Sequence, residues 1–184
     1  LLIIPSVVGV AVIGREILGV IFGFEYTIAA AAFLVLMIEK LPQAVNLVFD
    51  KAIQAFDRPK YGAIATVISL SMNIVLNVLL VPRYGLVGAA VATLVSVIAN
   101  TAILGLYLGR LTPVRFPVRD VGWTVLAAAG MGLVLVGITR LLPVDTPVAL
   151  IAVVGLSALV YGGCVLAAPP LRAKIIENVQ NVRG

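Results

Sequence analysis

The polar side chains best placed for chemistry lie in one apolar stretch of the chain. Two of them, Glu39 and Lys40, are charged and fall at its midpoint. A stripe of four polar residues recurs there at steps of four, three and four, which puts them on one helical face: Glu39, Gln43, Asn46 and Asp50. The chemistry these types offer is binding. A carboxylate can carry a proton or a sodium ion, and a lysine can meet a phosphate.

The stretch that carries this stripe is apolar enough to lie in a membrane. A charge at the centre of a bilayer costs roughly 2.5 to 3.5 kcal/mol, so Glu39 and Lys40 should face a bundle interior or an aqueous cavity. The alternative is a structural role, in which both charges only hold helices together. Adjacent residues point about 100° apart on a helix, which favours separate partners for them over a direct pair. Pro42 predicts a kink beside the charges.

A second polar region forms two facing helices, over residues 58 to 100. In the first helix one face carries hydroxyls and two asparagines, and after a turn the second helix repeats the pattern: Thr66, Ser69, Asn73 and Asn77, then Thr93, Ser96 and Asn100. Pro82 and Gly85 bracket the turn between them. An asparagine facing lipid leaves its amide unsatisfied, so these faces must meet protein or water. Asn73, Asn77 and Asn100 are candidate binding residues, with interhelical hydrogen bonds as the alternative.

The elements that position these residues are membrane helices. The chain is 62% hydrophobic and 11% charged, far from the roughly 25% charged of globular proteins. We predict an all-α polytopic membrane protein. About 20 apolar residues cross a bilayer, and six spans fit the sequence: 1 to 22, 27 to 49, 61 to 82, 85 to 109, 121 to 142 and 147 to 168.

Several classes of chemistry lack the residues they need. The sequence has one cysteine, Cys164, and no histidine, so we expect no disulfide framework, no metal site and no cofactor. It also lacks a nucleophile elbow and an acidic pair at a span end. We therefore predict that the protein is not an enzyme.

The hairpin sequence carries a family resemblance. The segments NIVLN and LLVPRYGLVGAAVAT, residues 73–77 and 79–93, resemble the carboxy-terminal half of polysaccharide-transporter flippases, in the multidrug/oligosaccharidyl-lipid/polysaccharide exporter superfamily. The resemblance implies that the six helices form most of a C-terminal bundle and that a partner N-terminal bundle of the same protein is missing. Residues 1–110 would supply four helices of the transport bundle, and 111–168 two additional peripheral helices. Residues 169–184 would then be a cytoplasmic tail.

The basic residues predict the orientation. Nine fall on one side of the predicted spans, and the positive-inside rule makes that side cytoplasmic: Lys51, Arg58, Lys60, Arg110, Arg115, Arg119, Arg172, Lys174 and Arg183. The C-terminus is then cytoplasmic, and the protein lies in the cytoplasmic membrane. Basic residues spread over span ends offer no groove for nucleic acid, so we expect none as a partner.

Three functions fit these features. The resemblance implies a flippase that moves a lipid-linked oligosaccharide across the membrane by alternating access, which needs a polar cavity between two bundles. Its partners would be that substrate and membrane lipids, and a proton or sodium ion would be the coupling ion. The alternatives are a multidrug or metabolite exporter of the same superfamily and a non-transporting membrane scaffold or assembly subunit.

Overall fold

All the regular structure of the described chain is helical. The computed structural model describes residues 3–112, 118–141 and 146–167, so the predicted tail at 169–184 lies outside the described residues. Five α-helices are present in this part of the chain, with a 3-10 helix, Phe24–Ala29, after the first: α1 Ile3–Phe22, α2 Ala30–Ala55, α3 Pro59–Leu111, α4 Val118–Leu141 and α5 Pro147–Ala167. The predicted all-α class is confirmed.

Four stretches of the described chain are long and apolar enough to cross a membrane: Ile3–Phe22, Phe24–Ala55, Pro59–Leu111 and Gly122–Arg140. The apolar stretch Pro147–Gly163 is shorter. A membrane protein with several helical crossings is therefore confirmed, and the number six stays a prediction.

Helix α3 is a hairpin of two arms that meet at Gly85. The backbone there has φ 56° and ψ −131°, a conformation that only glycine adopts without strain. A Cβ on Gly88 would collide with the carbonyl oxygen of Leu80, although a straight helix would separate these residues by about 12 Å. The chain therefore doubles back, and we call residues 59–84 the N-arm and 86–111 the C-arm. The predicted hairpin is confirmed.

The two arms keep one register along their whole length. Asn100 donates from Nδ2 to Ser69 Oγ at 3.1 Å, and the rings of Tyr61 and Tyr107 lie 4.4 Å apart. Both pairs are centred on residues 84 and 85, as an antiparallel hairpin with its turn at Gly85 requires. Three small residues of the C-arm, Gly88, Ala92 and Ser96, are all buried, and small residues let helices approach closely.

Helix α2 packs on the hairpin, and together they form a compact unit, Ile28–Arg115, which we call unit 2. Its apolar core is one cluster: Phe49, Ile53, Ala65, Leu104 and Leu108. The α2–α3 turn is short, with Asp57 at φ 56° and the Arg58 amide donating to the Ile53 carbonyl at 3.2 Å. Helix α2 continues through Pro42.

The remaining helices form a second compact unit, unit 1, from the described parts of residues 1–27 and 116–184. Here α1 packs against α4 and α5 around a core that includes Ile13, Met131, Leu135 and Val153. A Cβ on Gly132 would lie 2.7 Å from Val8, so this glycine lets α1 and α4 approach closely. The prediction that residues 1–110 supply the transport bundle and 111–168 peripheral helices stays a prediction.

Candidate functional site

The centre of the predicted stripe is a buried carboxylate with a lysine beside it. Glu39 is 2% exposed, and Lys40 Nζ lies 3.0 Å from its Oε2. The same ammonium group donates to Gln43 Oε1 at 2.9 Å. The expectation that Glu39 and Lys40 would take separate partners is therefore wrong. The angle between adjacent Cα–Cβ bonds is indeed large, but the four-methylene lysine stem is long enough to bend back across it.

Burial differs sharply between the two charges. The Lys40 side chain is 44% exposed, so its stem runs along the outside of unit 2 while its charge returns to the helix. The Glu39 side chain, in contrast, is not exposed at the surface of unit 2. A buried carboxylate without a counter-charge would cost several kcal/mol, and Lys40 with its multiple donors supplies that charge and also orients Gln43. The three side chains thus form one hydrogen-bonded group on α2.

Pro42 connects this group to the hairpin. Proline has no amide proton, but its carbonyl accepts a hydrogen bond from Thr101 Oγ1 at 3.2 Å. Thr101 also donates to the Val97 carbonyl at 2.8 Å, so its hydroxyl is shared between its own helix and α2. Thr101 is therefore the residue that joins the C-arm to the stripe, at the level of Asn100. Sequence reasoning missed it, although it directly follows a predicted site residue.

The last two residues of the stripe, Asn46 and Asp50, lie in different environments. Asn46 Nδ2 is buried and has no hydrogen-bond partner. Asp50 accepts a hydrogen bond from Gln54 Nε2 at 2.7 Å, and its Oδ1 lies 3.0 Å from where a Cβ on Gly62 would be. Asp50 is therefore at the contact between α2 and the N-arm. Asn46 retains an unused donor one helical turn after Pro42.

The three hairpin asparagines make their side-chain hydrogen bonds in two separate places. Asn77 Nδ2 donates to the Asn73 carbonyl at 2.9 Å and to Asn73 Oδ1 at 3.0 Å, within one arm. Asn100 instead reaches across to Ser69, which donates to the Thr66 carbonyl at 3.0 Å. Asn100 Oδ1 is buried and unpaired. The interhelical hydrogen-bond role is thus realised at Asn100, while the hydrogen bonds between Asn77 and Asn73 lie within the N-arm.

The predicted residues are brought together only in part. Unit 2 holds all eight of them: Glu39, Lys40, Gln43, Asn46, Asp50, Asn73, Asn77 and Asn100. In the described part of the chain, α2 and the hairpin share one side-chain hydrogen bond near the charged pair, from Thr101 to Pro42. Asn46 leaves a buried donor free, and Asn100 leaves a buried acceptor free. No cluster of metal ligands occurs among the described residues.

The chain matches a known family over most of its length. The family described as Lipid II flippase MurJ matches residues 1–160. Among curated proteins, the probable low-salt glycan biosynthesis flippase Agl15 of Haloferax volcanii is 36% identical over 179 residues, which cover 97% of this chain and 38% of the relative. The probable flippase AglR of the same organism is 29% identical over 193 residues, covering 98% and 38%.

A third relative carries no functional name. The uncharacterized membrane protein MJ1068 of Methanocaldococcus jannaschii is 25% identical over 144 residues, 78% of this chain and 27% of the relative. No solved structure matches the chain. The chain spans about two fifths of the length of the two flippases it matches. The resemblance predicted from the hairpin is confirmed: the chain belongs to the lipid II flippase MurJ family, within the multidrug/oligosaccharidyl-lipid/polysaccharide exporter superfamily.

Proposed function

We propose that this chain is the carboxy-terminal portion of a flippase that moves a lipid-linked oligosaccharide across the cytoplasmic membrane by alternating access. One observation supports this most directly: a buried carboxylate, Glu39, and a half-exposed ammonium, Lys40, share a hydrogen bond within a helix long enough to span a bilayer. Charged residues within membrane helices are costly and therefore rare, and where they occur they commonly mark a substrate or ion pathway. The names of the two Haloferax relatives, both probable flippases, support the same function.

In this proposal the chain crosses the membrane six times, by α1, α2, the two arms of α3, α4 and α5. Nine basic residues fall on the side that holds the α2–α3 turn and the end of the C-arm, which the positive-inside rule makes cytoplasmic. The C-terminus is then cytoplasmic, and the Gly85 turn faces outward. The remaining bundle of the same protein would complete the cavity.

The substrate would act on the Glu39–Lys40 pair by competition. A lipid-linked sugar carries phosphate, and a phosphate oxygen competes with a carboxylate for the same ammonium donors. Lys40, 44% exposed, can turn toward such a group. Glu39 would then lose its counter-charge in a buried place and take up the coupling ion, a proton or sodium. Gln43, Asn46, Asp50, Asn73, Asn77 and Asn100 would line the polar path.

A flux measurement tests the proposal. The complete flippase is reconstituted in vesicles with a fluorescent polyisoprenyl-diphosphate sugar, and its movement between leaflets is followed by quenching from outside. Lys40→Ala should reduce the rate at least tenfold while the protein stays folded. Lys51→Ala is the control, because Lys51 is an exposed cation at the end of the same helix. Unchanged flux in Lys40→Ala would remove Lys40 from the pathway.

The other functions fit less well. A drug exporter would favour a more apolar cavity than one holding Glu39 and Lys40, and a scaffold would show no flux in any variant. Membership in a family of flippases agrees with the prediction that the chain is not an enzyme.

A further inference from the structure

Unit 1 contains a polar cleft that the transport pathway proposed above does not use. It has a volume of about 430 Å³ and lies where the end of α1, the 3-10 helix and the first residue of α5 meet. Its walls include Arg15, Glu16, Gly19, Phe24, Thr27 and Pro147. All of these residues belong to unit 1, so the cleft is formed within a single compact unit.

One polar atom of a cleft residue is a buried hydrogen-bond acceptor without a partner. Glu16 Oε2 is buried and has no hydrogen-bond partner. Its neighbour Arg15 is exposed and does not form an ion pair with it. Among the described residues, the ion pair is the one between Lys40 and Glu39. A buried carboxylate oxygen with no donor is costly. A ligand that brings hydroxyl donors into the cleft would remove that cost.

The other cleft residues complete a mixed set of groups. The Arg15 guanidinium supplies donors, and Thr27 Oγ1 has spent its proton on the Phe24 carbonyl at 2.7 Å, which leaves its lone pairs available. The Phe24 ring is 82% exposed and offers a flat apolar face. Arg15 disfavours a bare cation, and Glu16 disfavours a bare anion. A neutral ring that carries both hydroxyl donors and acceptors, with an apolar face, matches all four groups.

We propose that this cleft is a carbohydrate-binding subsite that takes a neutral sugar of the transported glycan. This inference rests on the function and orientation proposed above, in which the end of α1 and the start of α5 lie on the outer side of the membrane. A sugar head group that has just crossed arrives on that side. Glu16 accepts hydrogen bonds from the sugar hydroxyls, Arg15 donates, and Phe24 packs against the ring.

Binding of soluble methyl glycosides tests this subsite without any transport. Saturation-transfer difference NMR is recorded on the complete flippase in nanodiscs, with the methyl glycosides of glucose, mannose, galactose and N-acetylglucosamine as probes. The wild type should bind at least one of them. Glu16→Gln keeps the shape of the side chain but removes its charge, and should weaken binding about fivefold to tenfold. Phe24→Ala, at an exposed position, should weaken it by about threefold.

The matched control is Glu25→Gln. Glu25 is an exposed carboxylate in the same 3-10 helix and does not line the cleft, so its substitution should leave sugar binding unchanged. Equal binding by wild type and Glu16→Gln would overturn the proposal, and so would a wild type that binds none of the probes. Because no translocation is involved, either result leaves the flux experiment to decide the flippase function separately.

Discussion

The Glu39–Lys40 pair makes a prediction about the stability of a single residue. Lys40→Ala leaves the Glu39 carboxylate buried without its counter-charge, which should lower the free energy of unfolding by about 1 to 3 kcal/mol, given that Lys40 is partly exposed. The double variant Glu39→Gln with Lys40→Ala has no charge left to strand and should regain most of that loss. Thermal unfolding of the complete protein in nanodiscs measures both.

Transport should not follow stability in this pair. If Lys40 meets the substrate phosphate, the double variant stays inactive even though its unfolding midpoint recovers. A double variant that regains both stability and flux would instead mean that the pair is structural. Lys51→Ala again serves as the control for removing one positive charge from α2, and its unfolding midpoint should match that of the wild type.

At this scale the sequence predicts which residues are polar and which face they share, but not their partners. Glu39, Gln43 and Asn46 follow from helical spacing alone. The Lys40–Glu39 contact does not, since it depends on a flexible stem that spacing rules ignore. Thr101 was missed for a similar reason: its partner is the carbonyl of Pro42, a backbone atom 59 residues away, and nothing in the side-chain pattern marks it.

The hairpin makes a prediction at the scale of one element. A methyl group added at Gly88 would collide with the Leu80 carbonyl. Because that carbonyl is backbone and the methyl is fixed to the Gly88 α-carbon, neither can turn away, and the arms must move apart. Gly88→Ala should therefore cost about 2 kcal/mol or more of unfolding free energy. Gly109→Ala, on the same arm with open space around its α-carbon, should be neutral or slightly stabilising. Equal unfolding midpoints for the two variants would contradict the hairpin packing.

The sequence predicts an element well where a proline or a glycine marks its end. Pro82 and Gly85 identify the hairpin turn, because a tight turn restricts residue type strongly. The packing of α1 against α4 and α5 was not predicted. Helices such as α5 are apolar on all sides, so periodicity does not tell which face meets which neighbour.

The orientation of the whole molecule gives a third prediction. In a Cys164→Ala background, single cysteines are placed at the exposed positions of Tyr84 and Arg58. We expect a membrane-impermeant maleimide to label Tyr84→Cys in intact cells, and Arg58→Cys only after the membrane is permeabilised. Labelling in the opposite order would invert the topology, and the outer location of the Glu16 cleft would then be lost.

The interleaved order of the two units governs how the chain assembles as it is synthesised. Unit 2 is a continuous segment, Ile28–Arg115, whereas unit 1 is built from helices on either side of it. At about 5 to 20 residues per second, roughly 90 residues of unit 2 take several seconds to emerge from the ribosome. During that interval α1 lies in the membrane before α4 and α5 have been synthesised. Helix α2 and the hairpin, in contrast, can pack together as soon as they emerge. We therefore expect α1 to be the helix of this chain that is most exposed to misassembly and to cellular quality control during synthesis.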